Sequence, residues 1–326
     1  MRADDDESLL SEAEGSYGYI PSKPIAIIFL ALFGLSTLLH TGQAIYHRVW
    51  WLLPTAVLCG IGELTGWGAR LWSALDTNAS MPFTIQISTT IIAPTPLLAA
   101  SFIIFSRVVN EVGAHYSLIP GRYIGWIFVP CDLIALVVQG VGGGIASSAD
   151  GDRETADRGA TIMLGGIGFQ FAVIVFFSIL LTDFLIRVVR DAPWRAPQMQ
   201  ALSGSPSSSF TMTHKEGRAR ARLTRRTRTV LAALAFSTTV LFIRSVYRTI
   251  ELTDGWNGRI IHTELYFNVL DGGMVVLAIY TWNFVHPGMF LRAGGEDDEE
   301  SNGNASDLEK RRARAAELRE QEQSLL

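Results

Sequence analysis

Eight ionisable residues stand inside runs that are otherwise apolar: Glu63, Arg70, Asp132, Arg244, Arg248, Glu251, Glu264 and Asp271. Gln86, Gln139 and Gln170 add amides to the same runs. Their spacing is helical. Glu63 and Arg70 are two turns apart on one face, and so are Asp132 and Gln139. Arg244, Tyr247, Arg248 and Glu251 recur at i, i+3, i+4 and i+7, and Glu264, Asn268 and Asp271 at i, i+4 and i+7. Such groups in an apolar medium do one of two things. They pair into a fixed ionic network that sets helix register, or they line a polar cavity for a charged head group or an ion.

The elements that must position them are long and apolar. Seven stretches, near 25–46, 50–72, 83–106, 121–146, 159–186, 229–250 and 265–285, each reach the roughly 20 residues that a helix needs to cross a bilayer. Runs such as IAIIFLALFGLSTLL are apolar on every side, where a soluble helix would show a stripe. The expected fold is therefore an all-α, polytopic membrane protein, a bundle of seven transmembrane helices filling residues 25–285. Pro94 and Pro96 should kink the third helix by removing two ladder bonds.

Charge distribution orients the bundle. The chain has 326 residues and 58 charged ones, of which 36 fall in 1–24, 187–228 and 292–326. The remaining 225 residues carry 22 charges, too few for the surface of a water-soluble enzyme. With the N-terminus outside, the inner loops hold 14 Lys and Arg against five on the outer side, so the positive-inside rule favours N-terminus out and C-terminus in. Residues 1–24 then form an acidic extracellular segment. Residues 187–228 form a basic inner loop suited to anionic inner-leaflet lipid, and 286–326 a charged cytoplasmic tail. A nucleic-acid role does not suit so short a basic run beside the membrane. The sequon at Asn78 lies in an outer loop, open to glycosylation, whereas that at Asn304 lies in the tail and should stay bare. For Glu63, Arg70, Gln86, Asp132, Gln139, Gln170, Arg244, Arg248, Glu251, Glu264 and Asp271 the expectation is a polar pocket between helices, opening outward.

Several chemistries are excluded. The lysines are Lys23, Lys215 and Lys310, all outside the spans, so no retinal Schiff base can form. Of six histidines only His40 lies well within a span, which speaks against a metal site. No phosphate-binding glycine loop of the P-loop type is present, hence no ATPase engine and no expected cofactor.

An ordered set of segments carries a resemblance. It comprises GELTGWGAR at 62–70, QISTTIIAPTPLLAA at 86–100, Asp132 through Gly140, the run 165–170, RSVYRTIE at 244–251, then Glu264, Tyr266, Asp271 and the His286-Pro287-Gly288 terminator. In these the chain resembles the fungal RTA-like family, lipid-translocating exporters of the resistance-to-aminocholesterol type. Trp67 stands where a tyrosine is more usual. The resemblance implies a non-enzymatic plasma-membrane protein that exports a sphingoid base or sterol-like amphiphile and contributes to resistance to toxic amphiphiles. Glu63, Asp132, Glu264 and Asp271 can neutralise an amine, and Arg70, Arg244 and Arg248 can meet a phosphate. A seven-helix lipid sensor signalling through the 187–228 loop and the tail is the alternative.

Overall fold

The computed structural model describes residues 19–76, 81–149, 152–195, 225–254 and 259–290. Asn78, residues 1–18, most of the basic loop and the tail from 291, with Asn304, lie outside these described residues. All regular structure among the described residues is helical. Helix α1 is Lys23–Tyr46, opened by a proline in its first turn, where the missing N–H costs nothing. A 3-10 turn Trp50–Leu52 and a π turn Leu53–Val57 lead into α2, Leu58–Leu75. Next come α3, Met81–Ile92, and α4, Thr95–Val112, then α5, Gly121–Ser147, and α6, Arg153–Arg190. Helix α7 is Arg225–Thr253. One turn Glu264–Tyr266 and a π segment Phe267–Gly273 lead into α8, Met274–Phe284, and a short turn Pro287–Phe290 follows.

Among the described residues, six helical units are long and apolar enough to cross a membrane: Lys23–Tyr46, Met81–Val112, Gly121–Ala146, Glu154–Arg190, Arg225–Thr253 and Glu264–Met289. Helix α2 is not among them. Its buried stripe of Cys59, Glu63, Trp67, Arg70 and Ala74 includes two ionisable groups, which lowers its hydropathy although it packs against α1 and α3. The surface is inverted relative to a soluble protein. Leu38, Trp126 and Phe284 are 73 %, 82 % and 78 % exposed, whereas Glu63, Arg70 and Asp271 are 0 % exposed. Apolar side chains outside and charge inside suit a lipid solvent. This is a multi-pass membrane protein.

Close packing joins the helices that carry the polar groups. Helices α5 and α6 meet at Gly142 and Gly159: a Cβ on either would sit 2.4 Å from a backbone nitrogen of the facing helix. Small residues allow this approach, which in lipid replaces hydrophobic drive as a source of association. Below that contact, Phe102, Phe105, Phe128, Phe177 and Phe184 from α4, α5 and α6 pack in edge-on and tilted pairs. The two prolines separate α3 from α4. Pro94 cannot donate to the carbonyl of Thr90, so that acceptor is left free in mid-bundle.

Candidate functional site

The structure brings ten of the eleven predicted residues together as three groups and leaves Glu63 apart from them. The first is a dense ionic knot between α3, α7 and the π segment. Arg248 binds Asp271 in bidentate fashion, Nε to Oδ1 at 2.8 Å and Nη2 to Oδ2 at 2.7 Å. Its Nη1 donates to Glu251 Oε2 at 2.6 Å, and Nη2 also donates to Thr90 Oγ1 at 2.9 Å. The Tyr247 hydroxyl donates to the other oxygen of Glu251 at 2.6 Å. Arg244 Nε lies 2.8 Å from Asp271 Oδ1, and its Nη2 donates to the Thr90 carbonyl that Pro94 frees. The π segment carries Asp271 into this position, since a π bulge shifts the facing of residues along a helix.

The second group lies at the end of the bundle formed by Tyr19, the C-terminal half of α2 and the start of the last unit. Arg70 donates from Nη2 to Glu264 Oε1 at 3.1 Å and to the Tyr19 hydroxyl at 2.9 Å, and from Nη1 to Gln86 Oε1 at 3.3 Å. Ser22 N donates to the same Glu264 oxygen at 2.9 Å, tying the head of α1 to the pair. The Arg70 guanidinium stands 4.7 Å from the Phe267 ring centroid, and Arg248 stands 5.2 Å from it. One ring therefore stands within cation–π reach of both cationic groups.

The third group joins α4, α5 and α6. Gln170 Nε2 donates to Asp132 Oδ1 at 3.0 Å and to Thr95 Oγ1 at 2.9 Å, while its Oε1 accepts from Gln139 Nε2 at 2.9 Å. One carboxamide thus bridges Asp132 and Gln139. Their other oxygens, Asp132 Oδ2 and Gln139 Oε1, are buried and accept no hydrogen bond among the described residues. Glu63 is the remaining predicted residue. It is fully buried on α2, facing the first group, and neither of its oxygens accepts a hydrogen bond of good geometry.

The family behind these motifs can now be given. The family described as RTA1 like protein matches residues 56–294, which contain all eleven predicted polar residues. The chain belongs to the RTA1-like family. Three fungal proteins are similar to it. A protein of Saccharomyces cerevisiae strain Lalvin EC1118 named sphingoid long-chain base transporter RSB1 is 27 % identical over 285 residues, 84 % of this chain and 74 % of the relative. Protoporphyrin uptake protein 1 of S. cerevisiae strain S288c is 24 % identical, covering 82 % and 90 %. A lipid-translocating exporter-like protein RTA1 of Leptosphaeria maculans is 24 % identical, covering 84 % and 51 %. No solved structure matches the chain.

In this RTA1-like chain, spacing alone did not reveal Tyr19, Thr95 or Phe267. Thr95 was visible only as the residue between two prolines. A turn is what aims it at Gln170. Tyr19 precedes the first helix, and only the fold brings it across to Arg70. Grooves between helices indent the bundle among the described residues. One, of about 220 Å³, is lined by Phe83, Ile87, Gly143 and Met163 from α3, α5 and α6, with Thr84 and Ser88. Another, of about 170 Å³, lies between α6 and α7 and is lined by Ser178, Thr182, Thr238 and Thr239 among others. None of the eleven predicted residues lines either groove.

Proposed function

We propose that this protein translocates a lipid or cationic amphiphile, such as a sphingoid base or sterol-like amine, outward across the plasma membrane, and so contributes to resistance to toxic amphiphiles. The bundle crosses the membrane seven times with α2 as its seventh span, N-terminus out and C-terminus in. The basic 187–228 segment rests on anionic inner-leaflet lipid. Of the eleven polar residues, Glu63 and the Asp132, Gln139 and Gln170 group line the route, which opens outward.

The observation that carries this reading is an excess of buried carboxyl groups. Glu63, Asp132, Glu251 and Asp271 are buried, against Arg70, Arg244 and Arg248. Arg70 already has a further acid, Glu264, as its partner. After the ion pairs are drawn, Glu63 and Asp132 have no cationic partner among the described residues. An uncompensated carboxylate in a low-dielectric interior is costly, and a cationic ligand offsets that cost. The relatives named for sphingoid-base transport and lipid translocation support the same class of cargo. The protein acts by moving its ligand, with no bond made or broken.

The test is flux of labelled sphinganine across liposomes holding the purified protein, with Glu63→Gln as the variant. The expected result is protein-dependent flux that falls at least tenfold in the variant. Binding without flux under matched lipid and pH gradients would replace translocation by sensing through the inner loop and tail.

A further inference from the structure

Two buried acceptors on one helix face have no donor. Asp132 and Gln139 are each 1 % exposed, and Asp132 Oδ2 and Gln139 Oε1 both lack a partner among the described residues. Native interiors leave very few such atoms, so a pair on one face two turns apart calls for an explanation. A donor-rich ligand supplies one. Both side chains are held by Gln170, which uses Asp132 Oδ1 and the Gln139 amide, so the unmatched oxygens are fixed rather than free to turn away. Gly166 sits against Gln139: a Cβ there would be 2.9 Å from its Cγ and 3.0 Å from its backbone N, so the helices close on this point.

The same face of α5 continues into the larger groove. Gly143 follows Gln139 by one turn and Ala146 by two, and both line the groove of about 220 Å³. Across it, Ser88 Oγ would lie 3.5 Å from a Cβ on Gly143. The remaining lining is mostly apolar: Phe83, Ile87 and Met163. Polar positions therefore climb α5 from Asp132 to Gln139 and on to the hydroxyls of α3, ending in an apolar groove at the end of the helix.

Resting on the translocator reading, we propose that Asp132 and Gln139 form a station for the ammonium group of a single-chain amine amphiphile, and that the groove between α3, α5 and α6 is where the amphiphile enters or leaves the bundle. Charge complementarity selects the ligand. Asp132 offers a carboxylate oxygen without a cation, which suits an ammonium, and Gln139, about 10 Å further along α5, offers a carbonyl oxygen that an N–H donor can meet as the amphiphile moves along the same face. The ionic knot at Asp271 offers no such vacancy, because two arginines already hold that carboxylate.

The experiment measures equilibrium binding of radiolabelled octadecylamine to the full chain in phosphatidylcholine nanodiscs, with protein-free discs as baseline and octadecanol as the uncharged control. Asp132→Asn should weaken octadecylamine binding at least tenfold and leave octadecanol at baseline. Gln139→Glu, which adds a second carboxylate to the same face, should tighten it several-fold. This gain keeps the test decisive if the first variant folds poorly. Gly143→Phe, which fills the groove, should slow octadecylamine flux in liposomes at least tenfold. Octadecylamine binding equal in wild type and Asp132→Asn, or no gain in Gln139→Glu, would overturn the station. Flux unchanged in Gly143→Phe would overturn the groove as the route. Sphinganine flux that persists in Asp132→Asn would leave translocation standing without the station. Carboxylate-dependent binding with no wild-type flux would do the reverse.

Discussion

The Asp271 knot and the Asp132 group are both buried and both built from residues at helical spacing, yet they are finished to different degrees. Around Asp271, both carboxylate oxygens face arginines, and the neighbouring Thr90 gives both its hydroxyl and its carbonyl to the same pair. Around Asp132, one oxygen is bonded and one is not. The difference teaches how to separate a structural polar network from a binding one. A network that holds helices together gains from completeness, because each unmet group carries its full desolvation cost. A site that must accept a ligand keeps acceptors in reserve.

The comparison can be broken by stability measurements. The largest effect is expected for Arg248→Met, which leaves Asp271 and Glu251 buried without their main partner. A loss of about 3–5 kcal/mol is expected, read as a large drop in thermal midpoint in detergent. An effect below 1 kcal/mol, on the order of one lost neutral hydrogen bond, would mean that the knot is not what holds α7 to the last helix. Next is Thr90→Val, which removes a hydroxyl that accepts from the Arg248 guanidinium. Its cost should be about 1.5–3 kcal/mol, because the lost bond is to a charged donor. Third, Asp132→Asn should change stability by less than about 1 kcal/mol, since the amide oxygen still accepts from Gln170. A loss as large as that of Arg248→Met would erase the distinction between the two groups.

The smallest effect belongs to a contact outside the membrane-spanning helices. Between α4 and α5, the Tyr116 hydroxyl donates to Asp191, which ends α6 in a left-handed conformation with φ of 53°. That hydrogen bond, together with burial, pushes the phenol up to about 12. A raised folded-state value means that the contact stabilises fully below the ordinary phenol range and is lost as pH rises through about 12. In Tyr116→Phe the thermal midpoint should lose this alkaline dependence. An identical pH profile in the two proteins would show that the contact contributes nothing.

Much of this was legible from residue types and spacing. The apolar runs announced membrane-spanning helices because lipid tolerates no stretch whose backbone lacks internal partners. The pairs Arg248–Glu251 and Tyr247–Glu251 follow from i+3 and i+4 neighbours on one helix. The proline pair announced the break before α4. What periodicity could not supply was partnership between helices. Asp132 and Asp271 look alike in the sequence, each a lone acid in an apolar run. The third helix was legible, but not that the carbonyl freed by Pro94 would cap Arg244.

The amino-acid order alone determined that this chain is helical, that it resides in a membrane, and that its charges lie inward, because those outcomes depend on composition and on distances of a few residues. Only the tertiary structure decided which carboxylate is satisfied and which is left waiting. Arg244 and Arg248 each lie more than 20 residues from Asp271 across a helix connection, and Asp132 and Gln170 lie 38 apart. Hydrogen bonds at that separation depend on how two helices cross and rotate, and a packed interior sets that rotation as a whole rather than residue by residue.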